Sequence, residues 1–177
     1  MFTSTPYQET KSCESPVKHT DNYKIVVILD ESGSMEVIGK QMRNALNDLI
    51  KEQKQVTARP CNFTKVKFND TVRRVIKSTD LTEIRLLTEE DYRPNGSTAL
   101  YDAIGDTINW YRYERDVLMV IITDGQENAS KKFRKDQITK MIKEKETHCG
   151  WSYVYLNCDL QTAAQGDAIG LNESAKC

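Results

Sequence analysis

Histidine is scarce in this sequence: His19 and His148 are the only two in 177 residues. The first lies in a Ser/Thr-rich opening stretch and the second follows a lysine-rich segment, so neither is placed as the general base that a hydroxyl nucleophile needs. The pattern G-x-S-x-G is missing as well, which removes the nucleophile elbow of a serine hydrolase. The five cysteines (Cys13, Cys61, Cys149, Cys158, Cys177) are odd in number and form no C-x-x-C pair. That spacing excludes a zinc knuckle or dithiol redox motif and leaves free thiols in a reducing compartment as the expectation. No apolar run approaches the ~18 residues that span a bilayer, and no apolar core of a signal peptide occurs near the start. An excess of one charge is also lacking: 25 basic against 26 acidic residues give a net charge of -1. A chain so balanced offers no global electrostatic footprint for nucleic acid.

What is present begins after residue 22. The first 22 residues, MFTSTPYQETKSCESPVKHTDN, carry seven Ser/Thr and two Pro and read as a disordered tail. Residues 23–177 then suffice for one domain, which buries roughly two-thirds of its unfolded surface without staples. Five N-x-[ST] sequons begin at Asn62, Asn69, Asn95, Asn128 and Asn172. Two of them flank the crevice described below, where a glycan would obstruct binding, which favours an intracellular home.

The run YKIVVILD (23–30) is apolar and β-branched without interruption, the mark of a strand buried on both faces, as in a parallel sheet. Ile38, Met42, Ala45, Leu46, Leu49 and Ile50 then fall at helical spacing and predict an amphipathic helix over 37–54. Residues 61–68 and 71–79 form two strand-like runs joined at Asn69-Asp70, a hairpin at the sheet edge. Its basic residues (Lys65, Lys67, Arg73, Arg74, Lys77) suit an edge that must resist aggregation. Residues 80–94 read as a linker, and RPNGS (93–97) as a turn. Ala99, Leu100, Ala103, Ile104, Thr107, Ile108 and Tyr111 keep helical period, with Ser97 or Thr98 as the expected cap.

RDVLMVIITD (115–124) repeats the design of the first strand and, like it, ends on an aspartate. A lysine-rich helix over 131–147 follows, with Phe133, Ile138, Met141 and Ile142 inward and its seven Lys/Arg on a solvated face. WSYVYLN (151–157) is a third buried strand, and 160–169 a short helix. Strands alternating with helices predict an α/β fold: a Rossmann-like, doubly wound, mostly parallel sheet with one antiparallel edge strand and helices on both faces.

In such sheets the loops beyond the carboxyl ends of the central strands converge on one crevice. Here the first loop holds Asp30, Ser32 and Ser34, the second Thr98 at a helix start, and the third Asp124. Two carboxylates and three hydroxyls, with no histidine or thiolate, form a hard-oxygen set suited to Mg²⁺ or Mn²⁺ rather than zinc or copper. Gly33 would let the backbone turn between the serines.

DESGS (30–34), NGSTALYDAI (95–104) and IITDGQEN (121–128) resemble the D-x-S-x-S, T and D elements of the metal-ion-dependent adhesion site, or MIDAS, of von Willebrand factor type A domains. The likeness covers residues 23 to 172. It implies that Asp30, Ser32, Ser34, Thr98 and Asp124 bind Mg²⁺ directly or through water, and that an Asp or Glu carboxylate from a partner protein completes the shell. No membrane or nucleic acid is implied as a partner. The style is similar to short stand-alone bacterial, phage and large-DNA-virus members, which adds a component of a virus particle to the expected settings. The family's sheet usually ends with a further strand and helix, for which little chain remains after Leu171. Asn157 and Asp159 end the third strand near the same crevice without being assigned as ligands.

Other readings are weaker. DESGSM taken alone is a turn and helix cap. GSMEVIGK (33–40) is similar to a phosphate-binding loop, but has five residues between its glycines and Gln41 where Ser or Thr is required. An Mg²⁺-dependent phosphohydrolase could use Asp30 as nucleophile, yet Ser32 stands where the second acid belongs. The expectation is a non-enzymatic protein-binding module. The alternative is a structural assembly subunit in which the metal only stiffens loops.

Overall fold

The computed structural model of the chain describes residues 22–56, 59–124, 126–157 and 175–176. Residues 1–21 of the expected tail, the helix expected over 160–169, and Asp159 lie outside the described residues.

Five apolar segments form strands: β1 (Tyr23–Asp30), β2 (Cys61–Phe68), β3 (Val72–Asp80), β4 (Val117–Thr123) and β5 (Ser152–Asn157), joined by a two-residue β6 (Ala175–Lys176). The sheet order is β3-β2-β1-β4-β5-β6. Only the β2–β3 hairpin is antiparallel; β1 pairs in parallel with β2 and β4, and β5 with β4 and β6. The final edge, for which the sequence offered little, gains a short parallel strand that pairs with the last two residues of β5, Leu156 opposite Ala175 and Asn157 opposite Lys176.

Alternate residues of the central strands serve two cores, as the period of two requires. Ile25, Val27 and Leu29 of β1, with Val120 and Ile122 of β4, pack against Met42, Leu46 and Ile50 of helix α1 (Gly39–Val56). Val26 and Ile28, with Met119 and Ile121, face α2 (Leu100–Trp110) and α3 (Lys135–Cys149). Helices thus cover both faces of a Rossmann-like sheet. The 81–94 segment is less of a free linker than expected: two 3₁₀ turns (Leu81–Glu83 and Glu89–Asp91) bury Leu81, Ile84, Leu87 and Tyr92 beneath α1.

Four expectations need correction. The cap of α2 comes from neither Ser97 nor Thr98; its N-cap residue is Ala99, with no side-chain bond. Helix α3 begins at Lys135 rather than 131, because the amides of Lys131, Lys132 and Phe133 all donate to the Asp102 carboxylate (2.9, 2.9 and 3.0 Å) and hold that stretch as a turn. Phe133 nevertheless packs inward, so close to Gly105 that a Cβ there would lie 2.5 Å from its ring. The lysines do not all form a solvated face. Lys145 is buried, donates to the Arg112 carbonyl (2.6 Å) and lies 5.6 Å from the Trp151 ring centroid, and burial lowers its pKa. Nor are the thiols all free, since Cys149 is disulfide-bonded, while Cys61 is free and buried.

The basic residues of the hairpin also do more than guard an edge. Lys65 is buried, and Lys67 and Arg73 converge on the buried Glu31 carboxylate, each at 2.7 Å. Lys67 donates in addition to the Asp91 carbonyl, which ties the 81–94 segment to β2. Arg74 lies over the Trp110 ring at 4.7 Å.

Arg85 grips both oxygens of Asp91 (2.7 and 2.6 Å) and, with the Thr88 amide, holds that carboxyl well below the usual carboxylate range. A depressed folded-state pKa contributes stability that is present above the unfolded value near pH ~4 and lost as pH falls toward the folded value. Urea melts of wild type and Asp91→Asn from pH 7 down to pH 3 will therefore converge as the solution is acidified. Curves that stay parallel over that range would contradict the assignment.

Candidate metal centre

β1 and β4 are neighbours in parallel register, with Leu29 opposite Ile122. Asp30 and Thr123, one residue further along, consequently end side by side at the carboxyl edge of the sheet. Asp30 is 0% exposed. Its Oδ1 accepts from the Ser32 amide (2.7 Å) and its Oδ2 from the Thr123 hydroxyl (2.5 Å). The Tyr92 hydroxyl donates to its carbonyl oxygen (2.6 Å), fixing the floor of the crevice from the 81–94 segment.

From this floor a chain of oxygens climbs to the surface. The buried Ser32 hydroxyl lies 3.3 Å from that of Ser34, and the exposed Ser34 hydroxyl donates to Asp124 Oδ1 at 2.9 Å. Ser34 belongs to a 3₁₀ turn (Gly33–Glu36) that leads into α1. Four of the five predicted residues, Asp30, Ser32, Ser34 and Asp124, are thereby brought together side chain to side chain.

Thr98 arrives by its backbone. The Gly33 amide donates to the Gly96 carbonyl (3.0 Å), which docks the first loop on the second. Gly96 takes a positive φ of 76°, whereas Gly33 does not leave the ordinary region; the turn that requires glycine is the one before Thr98, not the one between the serines. Asn128 clamps Thr98 from the third loop: its Oδ1 accepts from the Thr98 amide (2.9 Å) and its own amide donates to the Thr98 carbonyl (3.0 Å). Among the described residues, the Thr98 hydroxyl makes no hydrogen bond to the other four side chains.

Glu127 explains the missing α2 cap. Its carboxylate accepts from the amides of Tyr101 (2.9 Å), Ala129 (2.9 Å) and Ser130 (2.7 Å), and the Ser130 hydroxyl donates to it (2.6 Å). The first turn of α2 is thus capped by a residue of the third loop, which also places a negative charge at the helix's positive end. Nothing in the sequence singled out Glu127, Asn128 or Thr123 as site residues; the one signal was their nearness to Asp124.

The electrostatics of neighbouring residues differ sharply. Glu31 points toward β2 and β3 and is neutralised by Lys67 and Arg73. Asp30 points into the crevice, and among the described residues no Lys or Arg pairs with it. Burial raises its pKa, the Asp124 charge adds to that, and the Thr123 and Ser32 hydrogen bonds oppose it. A buried carboxylate beside a second carboxylate, with no cation to balance it, is an environment that a divalent ion fits. The donor set agrees: carboxylates and hydroxyls without imidazole or thiolate suit a hard cation. Among the described residues no group of three or more His, Cys, Asp or Glu could hold a metal, and the crevice itself offers two carboxylates with hydroxyls for the rest.

The family model of the von Willebrand factor type A domain matches residues 24–151. The chain belongs to this family. Its members are typical protein-interaction modules. No curated protein matches the chain in sequence. Among solved structures, a von Willebrand factor type A protein from Catenulispora acidiphila is similar at a TM-score of 0.56 and 15% identity, covering 78% of this chain and 33% of its own. Proximal thread matrix protein 1 of the mussel byssus, with a zinc-occupied MIDAS motif, gives 0.60 and 16%, covering 88% and 40%. A variant of the PilB minor pilin from Streptococcus sanguinis gives 0.61 and 14%, covering 92% and 58%. At these identities the likeness is one of fold, and the chain spans between a third and three-fifths of the length of those proteins. Among the described residues no helix is long and apolar enough to cross a membrane.

Because Glu127 satisfies the start of α2 and braces the loop that holds Thr98, Glu127→Ala leaves part-buried amides without their acceptor. It is expected to lower unfolding free energy by about 2 kcal/mol. Chemical denaturation of the two proteins measures this, and a change below ~0.5 kcal/mol would show that water replaces the carboxylate.

Proposed function

We propose that this von Willebrand factor type A domain is a metal-dependent protein-binding module, in which Asp30, Ser32, Ser34, Thr98 and Asp124 hold one Mg²⁺ or Mn²⁺ ion at the carboxyl edge of the sheet. The observation that carries the reading is the buried Asp30 carboxylate, which has a second carboxylate in its field and, among the described residues, no cationic side chain paired with it. A hard dication bound there supplies an electrophilic position that an anionic ligand can fill. The preferred ligand is an Asp or Glu carboxylate on a partner protein. Ser34, on the exposed rim, and Asp124, half-buried beside it, lie where such a side chain would enter.

The chain's own part in this is to preorganise. Thr123 and the Ser32 amide orient the two oxygens of Asp30, and Asn128 fixes the backbone of Thr98. The reading is non-enzymatic: both histidines are remote from the crevice in sequence, and Ser32 occupies the place where an aspartyl-phosphate mechanism needs an acid. The rival, a structural subunit whose metal only stiffens the loops, is disfavoured by the bonds already present. Gly33 to Gly96, Ser34 to Asp124 and Asn128 to Thr98 tie all three loops directly.

Isothermal titration of Mg²⁺ into wild type will show one bound ion, and Asp124→Ala will weaken uptake at least tenfold. Equal uptake by both proteins would contradict the site. If EDTA lowers the melting temperature yet leaves partner association intact, the metal is structural and the adhesion reading falls.

A further inference from the structure

β5 carries two tyrosines, Tyr153 and Tyr155, whose hydroxyls are buried and have no hydrogen-bond partner among the described residues. A buried hydroxyl is almost always satisfied, and one left alone is a cost the fold must offset. The two orphans stand in different surroundings. Tyr153 lies beside Trp151, ring centroids 6.2 Å apart; burial raises its pKa, and the Glu146 charge adds to that. Tyr155 is 1% exposed; burial raises its pKa, and the Asp30, Tyr101 and Asp124 charges add to that. On the strand, Tyr155 is the one nearer the carboxyl edge where Asp30 and Asp124 stand.

The register accounts for the difference. Tyr155 sits opposite Ile121, two residues short of Thr123, and its side chain lies on the α2 face with Ile121 and Ile28. By the strand period, Thr123 and Asp30 project to that same face. The hydroxyl has about 6.6 Å of strand to climb to reach their level, a span within the scale of a tyrosine side chain leaning along the strand. Tyr101, in the first turn of α2, packs against the same core cluster. An apolar side chain of similar shape would fill this position without leaving a polar atom stranded.

We propose that Tyr155 is a positioning residue of the metal centre, its hydroxyl oxygen accepting a hydrogen bond from a water held by the bound cation. A water whose lone pair is committed to the ion is a strong donor and needs acceptors around it, and a hydrated Mg²⁺ keeps several such waters. Asp30 and Asp124 serve as acceptors or ligands on their sides, and Tyr155 provides a neutral acceptor from beneath. The orphan hydroxyl is then a group whose partner arrives with the ion. Outer partners of this kind typically govern metal affinity by ten- to a hundredfold.

This inference rests on the metal-binding reading, and the test separates the two. Mg²⁺ titration and EDTA-treated thermal melts are run on the full chain as wild type, Tyr155→Phe and Tyr153→Phe. Tyr155→Phe should bind Mg²⁺ about tenfold more weakly while melting in EDTA no lower than wild type, since it loses a stranded hydroxyl. Tyr153→Phe should bind Mg²⁺ as wild type does. Unchanged affinity in Tyr155→Phe, equal weakening in both variants, or a lower EDTA melting temperature for Tyr155→Phe would each overturn the proposal. Wild type that takes up no Mg²⁺ would overturn the site reading itself, and this inference with it.

Discussion

A carboxylate buried at the end of the central strand, with no counter-charge among the described residues, is the constraint on which the carboxyl edge is built. Asp30 cannot escape to water because Tyr92 closes over its backbone and the first loop folds over its side chain. Burying such a group is unfavourable by several kcal/mol unless charge or hydrogen bonds compensate. Two bonds compensate in part, and the Asp124 carboxylate makes matters worse. The next residue shows that the chain can solve this problem with side chains: Glu31 has two cations of its own. Asp30, one position away, has none among the described residues, and that contrast is what the metal-binding proposal rests on.

The three loops answer this constraint as a unit. The first reaches the second through Gly33 and Gly96, the second is clamped by Asn128 of the third, and the third meets the first again where Ser34 donates to Asp124. Each link is a direct hydrogen bond across a long sequence separation, so the ring is held by the sheet order that brings β1 and β4 together. Glu127 and Asp102 extend it outward, one capping α2 and the other delaying α3. The family's role as an interaction module fits an edge that is rigid below and open to solvent at Ser34.

Much of the fold was legible because its signals are local. Continuous apolar runs marked β1, β4 and β5, a 3.6-residue stripe marked α1, and Asn69-Asp70 marked the hairpin. What was not legible depends on partners far away in sequence. No local feature says that Glu127 caps α2 or that Asp102 gathers three amides near residue 131. Likewise the basic residues of the hairpin look like edge protection until Glu31 is seen between Lys67 and Arg73. Within the crevice, the repeated design of an apolar strand ending on an aspartate exposed Asp30 and Asp124, and the D-x-S-x-S spacing exposed the serines. Thr123 and Tyr155 stayed hidden because each reads as an ordinary strand residue, and only the register of β4 and β5 gives them a role.

The most direct test of the central claim is anomalous diffraction from crystals of the full chain grown with Mn²⁺. The account predicts one peak between Ser32, Ser34 and Asp124, within bonding distance of those oxygens and with Asp30 and Thr98 close behind. Difference density free of any peak in that crevice, with manganese bound elsewhere or nowhere, would contradict it.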